Sequence, residues 1–288
     1  MQTLDSPGAA MSSVGMTETT GTDLPGPSGL PTLTVAISTR GARAFALRPD
    51  TWEATPALDW LVLVQEPAAD PRLPAHLDSL AARPDVTVAR LASRGLSRSR
   101  NAALDLARGE VVLLADDDVT HPRGAFAAIR GFFRDQPRAS LLVGLSLDGR
   151  GRPRRRPIGP VRLTRWNAGR TASHELAFRA ASVRACGVRF DENFGVGADT
   201  PVFLGEEFVF IADCLLAGLA GEHRPLPVSV HPDPSTGTGW SGSAAARARA
   251  AALGRGFGQQ APLARAAYAL KNARRFGSLG DLLVFLRG

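Results

Sequence analysis

Cysteine, lysine and aromatic residues are scarce in this 288-residue chain, and each scarcity excludes something. The two cysteines, Cys186 and Cys214, lie apart in apolar surroundings with no CxxC spacing. Neither a disulfide framework nor a cysteine-rich zinc site is therefore expected. Aromatic residues make up 6% of the chain, and its arginine-rich stretches lack the interleaved rings of a nucleic-acid groove, so no nucleic-acid partner is expected. The longest mostly apolar run, Phe208 to Ala220, is broken by Asp213 and is far too short to span a bilayer. The N-terminus has no basic segment followed by an apolar one, so no secretory signal is expected. No GxxxxGK[ST] or GxSxG motif occurs, and Gly254-Arg255-Gly256-Phe257-Gly258 has the wrong spacing for GxGxxG. A P-loop ATPase, an α/β-hydrolase and a dinucleotide enzyme all lose their signature. What remains reads as a soluble, cytoplasmic protein, 44% hydrophobic and long enough for a buried core.

Its charge is unevenly spread. The formal net charge is +7, and Lys271 is the single lysine among 34 basic residues. Arg150 to Arg165 holds seven arginines and no acid. Beyond Trp240, eight basic residues face one acid, Asp281. Each segment nets +7, so the rest of the chain is acidic by the same amount. Two basic segments on an acidic body suit contact with phosphates or an anionic membrane surface. The apolar Val284-Phe285-Leu286 beside Arg287 would let the tail lie in such an interface.

Three regions follow from texture. Residues 1–31, rich in Gly, Ser, Thr and Pro, read as a disordered leader. Residues 32–240 alternate apolar β-type runs with helical patterns. Thr32 to Ser38, Trp60 to Val64, Val86 to Leu91, Glu110 to Ala115, Ser140 to Leu147 and Ser173 to Arg179 read as strands. Ser97 to Arg108 reads as a helix capped by Ser97 and stopped at Gly109; further helices are expected from Pro122 to Asp135 and from Gly205 to Gly218. Such alternation predicts an α/β fold with a mainly parallel sheet flanked by helices. Gly149 to Pro160 looks too charged and turn-rich to pack. Residues 241–288 form a basic Ala/Arg-rich tail of helical propensity.

Chemistry gathers at the end of one strand. Asp116-Asp117-Asp118 directly follows the apolar run Val111 to Ala115. Three adjacent carboxylates repel one another unless something positive neutralises them. The C-terminal strand edge is also where open α/β sheets bind ligands. Oxygen ligands of this kind suit Mg²⁺ or Mn²⁺ carrying a diphosphate, whereas an acidic turn capping the helix after Pro122 is the alternative.

The run Gly95-Leu96-Ser97-Arg98-Ser99-Arg100-Asn101-Ala102-Ala103-Leu104, followed by Gly109 to Asp118, resembles the nucleotide-sugar half of family 2 glycosyltransferases. Phe190-Asp191-Glu192-Asn193-Phe194-Gly195, Gly205-Glu206-Glu207 and Val230-His231-Pro232 continue the resemblance in order, so that it covers about Thr32 to Trp240. It implies a Rossmann-like GT-A fold and an inverting, metal-dependent transferase. The donor would be a UDP- or GDP-sugar and the acceptor a glycan or lipid-linked hydroxyl, as in cell-surface or exopolysaccharide synthesis. Asp118 would then hold Mn²⁺ or Mg²⁺ with help from Asp116 and His231. Ser38, Thr39, Arg40, Gln65, Glu66, Arg98, Asn101, Asp116 and Asp117 would line the nucleotide sugar. Gln65-Glu66 stands where the family usually has an aspartate for the base. Glu207, with Glu206 beside it, matches the catalytic base, a glutamate where aspartate is commoner. His174, Trp166 and Trp240 are acceptor-side candidates, since indole faces stack on sugars. A sugar-phosphate nucleotidyltransferase and a non-catalytic binder of anionic surfaces are the competing readings. The first wants a basic phosphate loop, of which Thr39-Arg40-Gly41-Ala42-Arg43 is a faint echo; the second leaves the aspartates without a task.

Overall fold

The structure, a computed structural model, describes residues 29–68, 70–231, 239 and 241–288. The expected leader falls almost wholly outside these residues, as do Pro232 and Trp240. Eight strands form one sheet in the order β3-β2-β1-β4-β7-β5-β8-β6. Strands β1 (Leu33–Arg40), β2 (Leu58–Gln65), β3 (Val86–Leu91) and β4 (Val111–Asp116) are mutually parallel. Strand β7 (Leu176–Arg179) runs antiparallel between β4 and β5 (Leu141–Leu147). Strand β8 (Gly221–Val230) is parallel to β5, and the two-residue β6 (Val161–Arg162) closes the edge. Helices cover both faces, which is why β1, β2 and β4 are near-continuously apolar: side chains from both sides of each strand are buried.

One core cluster holds Val35, Trp60, Val62, Leu113 and Phe133 against helices α1 (Leu73–Ala81) and α3 (Ala125–Asp135). The other joins Leu61, Leu114 and Phe178 to α2 (Leu96–Leu106), to α6 (Glu206–Leu216) and to the C-terminal helices. The short helices α4 (Arg165–Ala168) and α5 (Ala180–Ala185) add Ala168, Ala180 and Val183 to this second cluster. Truncating a fully buried side chain such as Phe210 to alanine is expected to cost about 3–5 kcal/mol.

Several local expectations change. Gly95, at φ 111°, caps α2, while the Ser97 hydroxyl donates to the Phe194 carbonyl at 2.6 Å. Gly109 is needed for space: a Cβ there would come within 2.5 Å of the Thr34 backbone nitrogen. Helix α3 starts at Ala125 behind Gly124, too far along for Asp118 to cap it. Residues Ser173–Glu175 form a 3-10 turn before β7. The Ala/Arg-rich stretch breaks at Gly258, φ 55°, into α7 (Ser243–Phe257) and α8 (Ala261–Asn272), followed by α9 (Leu279–Arg287). Loop 149–160 is largely exposed, as expected, although three of its arginines find partners: Arg152 on Asp148, Arg154 on His231 and Arg155 on Glu175.

The glycine-rich end of α7 proves to be a packing device. A Cβ on Gly256 would meet the Phe208 ring at 2.5 Å, and one on Gly205 would meet the Ala252 Cβ at 2.6 Å. The two glycines let α6 and α7 approach closely, which seats the start of α6 at the sheet edge.

Candidate active site

The C-terminal ends of β1, β4 and β8 converge with the start of α6. Thr120 and Val230 exchange two backbone hydrogen bonds of 3.0 and 2.7 Å. This bridge ties the loop after β4 to the end of β8 and sets His231 beside Asp118. The His231 Nε2 lies 3.5 Å from Asp118 Oδ1.

The three aspartates have three different environments. Asp117 turns inward: it accepts the Thr39 hydroxyl at 2.6 Å and a bidentate contact from Arg43. Arg43 also donates to Asp118 Oδ2 at 3.0 Å. The bond to Asp117 drives the Arg43 pKa further up despite partial burial. Asp116 accepts the Ser173 hydroxyl at 3.1 Å and lies 3.8 Å from the Arg100 guanidinium. Asp118 is the most open of the triplet.

Facing them, Gly205 takes a left-handed turn, φ 95°, and starts α6 with two acids. Arg100 is 1% exposed and reaches all three nearby carboxylates, donating to Glu206 Oε1 at 3.0 Å and Glu207 Oε1 at 3.4 Å. Burial lowers its pKa, but Glu207, Glu206 and Asp116 outweigh that, and the net shift is upward. Its guanidinium lies over Phe190, which stacks on Phe210 of α6 at 4.0 Å. Glu206, 4% exposed, is pushed up to about 7 by burial and by the Glu207 charge, against the pull of Arg100. Glu207 keeps more solvent access than Glu206.

On the far side, His231 stacks on His174 at 5.2 Å, and the His174 Nδ1 is 2.9 Å from the Ser229 hydroxyl. Burial pushes His174 down to about 4, so it is neutral at physiological pH. Arg154 donates to the His231 carbonyl. Glu175, held by Arg155, accepts the Ser146 backbone N–H at 3.0 Å.

The other sequence candidates have partners of their own, and Ser38 pairs in register with Asp116. Ser38 meets the Ser99 hydroxyl at 2.8 Å. Gln65 is buried and gives its amide nitrogen to the carbonyls of Ser93 and Gly95, which anchors the loop entering α2. Arg40 and Glu66 form a bidentate pair. Arg98 binds Glu192 and Asp199, and Asn101 pairs with the backbone of Phe190. Trp166 lies on Phe257 at the contact between α4 and α7. Sequence reasoning passed over Arg43, Arg100 and Ser173. A signal for Arg100 existed: it precedes Ala103 and Leu104 by three and four residues, on the inward stripe of α2.

Among the described residues, no group of three or more His, Cys, Asp or Glu forms a metal cage. Mg²⁺ and Mn²⁺ do not need one, because substrate phosphates and water commonly complete their shells. Asp118 and His231, converging from two strand ends, fit such an open site, with Asp116 adjoining.

Known proteins resemble the chain in sequence family and in fold. Residues 59–192 match the family model for glycosyl transferase family 2. Among solved structures, S. aureus TarS is similar at TM-score 0.58 and 14% identity, over 84% of this chain. This chain spans 43% of that TarS chain. S. aureus TarS 1-349 in complex with UDP is similar at TM-score 0.56 and 16% identity, covering 84% of this chain and 72% of that one. TarS 1-349 in complex with UDP-GlcNAc is similar at TM-score 0.58 and 14% identity, covering 89% and 79%. At such identities the likeness shows the GT-A fold. No curated protein sequence matches.

Proposed function

We propose that the chain, whose residues 59–192 match the family model for glycosyl transferase family 2, is a glycosyltransferase that moves a sugar, with inversion, from a nucleoside-diphosphate sugar to an acceptor hydroxyl. The observation that carries the reading is the meeting of Asp116–Asp118 with Glu206-Glu207 at one sheet edge, bridged by buried Arg100. The TarS complexes with UDP and UDP-GlcNAc make UDP the first nucleotide to test. A cytoplasmic setting, where nucleotide sugars are made, suits the reading, as does an acceptor that is a glycan or a lipid-linked sugar.

In this reading Glu207 takes the proton from the acceptor hydroxyl as its oxygen attacks the anomeric carbon. The bond from that carbon to the diphosphate oxygen breaks on the opposite face, and the nucleoside diphosphate leaves with the electron pair. Asp118 and His231 would hold a divalent cation, which would supply positive charge against the leaving group. Arg43, already on Asp118, shares that charge. Arg100 keeps both glutamates oriented, and the buried Glu206, raised towards neutral pH, shields Glu207 from a second full charge.

Calorimetric titration of UDP and of GDP, each with and without Mn²⁺, tests the reading on wild type and on Asp118→Ala. Metal-dependent binding of one nucleotide that the substitution abolishes is expected. Binding of neither nucleotide under any condition would overturn it.

A further inference from the structure

The second basic segment makes a surface that glycosyl transfer does not use. Helices α8 and α9 rest on α7 and on each other. Their inward faces bury Ala261, Ala264 and Ala269 on α8, and Asp281 and Phe285 on α9. On the opposite faces stand Leu263 and Leu270 of α8 and Leu279, Leu283 and Leu286 of α9, between 38% and 84% exposed. Their spacings of seven, four and three residues make a stripe on each helix. These five are half of the ten exposed large hydrophobics among the described residues, gathered in one short segment. Concentration of that kind marks an interaction surface rather than ordinary scatter.

The charges beside the stripes identify the partner. Lys271, Arg274, Arg275 and Arg287 flank the leucines and are exposed. The segment's one acid, Asp281, is buried and accepts the Gly242 backbone N–H. A second copy of this chain would bring like charges together across a self-complementary contact. The rings in this segment, half-buried Tyr268 and Phe276 and fully buried Phe285, pack against the core rather than being presented for base stacking. Leucines ringed by cations, with no anion among them, match the headgroup region of an anionic lipid layer.

We propose that α8 and α9 form a peripheral docking face for anionic membranes. Leu263, Leu270, Leu279, Leu283 and Leu286 enter the headgroup layer, and Lys271, Arg274 and Arg287 meet the lipid phosphates. The contact differs from the one expected of Val284-Phe285-Leu286, because Phe285 is fully buried. No described helix is long and apolar enough to cross a membrane. The other arginine segment is not part of the face, since several of its side chains are engaged around His231 and Glu175.

Cosedimentation of the full chain with vesicles tests this, and no nucleotide or acceptor enters the assay, so its result is separate from that of the transfer reading. Vesicles of phosphatidylcholine with phosphatidylglycerol should bind the chain at least about tenfold more tightly than pure phosphatidylcholine. Leu270→Glu/Leu279→Glu and Lys271→Glu/Arg274→Glu should each lose about tenfold with unchanged melting, because the altered side chains face outward. Arg150→Glu/Arg156→Glu should bind as wild type. Equal binding to both vesicle types, retention in the leucine variant, or loss only in the Arg150/Arg156 variant would overturn the proposal. So would a concentration-dependent dimer in sedimentation velocity that Leu270→Glu/Leu279→Glu dissolves.

Discussion

Two carboxylate clusters face each other across this site, and each is neutralised by one arginine in a different way. Asp117 and Asp118 are answered by Arg43, whose side chain is 61% exposed. Glu206 and Glu207 are answered by Arg100, which has almost no contact with solvent. An exposed counter-ion can leave when a diphosphate or a metal arrives, because water compensates for its lost partner. A buried one cannot, since the unpaired charge would sit in low dielectric. Asp118, 42% exposed, can therefore change its cation, whereas buried Asp117 keeps Arg43 and the second cluster keeps its geometry.

That contrast can be broken at four places. The largest effect belongs to Glu207→Gln, which removes the proposed proton acceptor. Initial rates with the nucleotide sugar selected by calorimetry should fall about 10²–10⁴-fold, while nucleotide binding is kept. An unchanged rate would move the base elsewhere. Next is Arg100→Met, expected to lower unfolding free energy in urea by about 3–5 kcal/mol, because it strands buried carboxylates. Arg100→Met/Glu206→Gln should recover much of that loss by removing one of the stranded charges.

The third place is the pH dependence of stability. Glu206, raised to about 7 from the ordinary 4.5, binds its proton more tightly folded than unfolded. Its contribution is therefore full below 4.5 and is lost as pH rises through 7. Relative to wild type, Glu206→Gln should flatten the melting profile across that window. A parallel pair of profiles would show that Glu206 is ionised throughout. The smallest effect is that of Arg43→Gln, about 1–3 kcal/mol in stability, because Asp117 is buried yet still accepts the Thr39 hydroxyl. Mn²⁺ should bind this variant more tightly in the absence of nucleotide, since Asp118 no longer has a competing cation.

Much of the fold was legible because burial on both faces writes strands as apolar runs: Leu61 to Val64 and Val111 to Ala115 announce themselves. Asp116–Asp118 stood out for the same reason, as charge placed at the end of such a run. Gln65 shows the limit. Its position beside the nucleotide loop was readable, but its amide nitrogen binds two backbone carbonyls some thirty residues on, which no local pattern encodes. Ser97 and Gly109 were read as caps because their types suit caps. One serves a distant carbonyl and the other a close backbone approach.

The two arginine-rich segments draw the boundary most clearly. Composition alone made them alike, each a run of cations with few acids. Their fates diverge because loop 149–160 meets Asp148, Glu175 and His231, whereas α8 and α9 face outward with leucines. Periodicity, strand-end chemistry and charge content are one-dimensional properties, and the sequence determined them by itself. Partner choice was decided only in three dimensions. Arg100 and Glu206 lie 106 residues apart, and Arg43 and Asp117 lie 74 apart. Such pairs exist only once β1, β4, α2 and α6 have packed, because hydrophobic burial brings the elements together first and electrostatics then acts between whatever groups they carry.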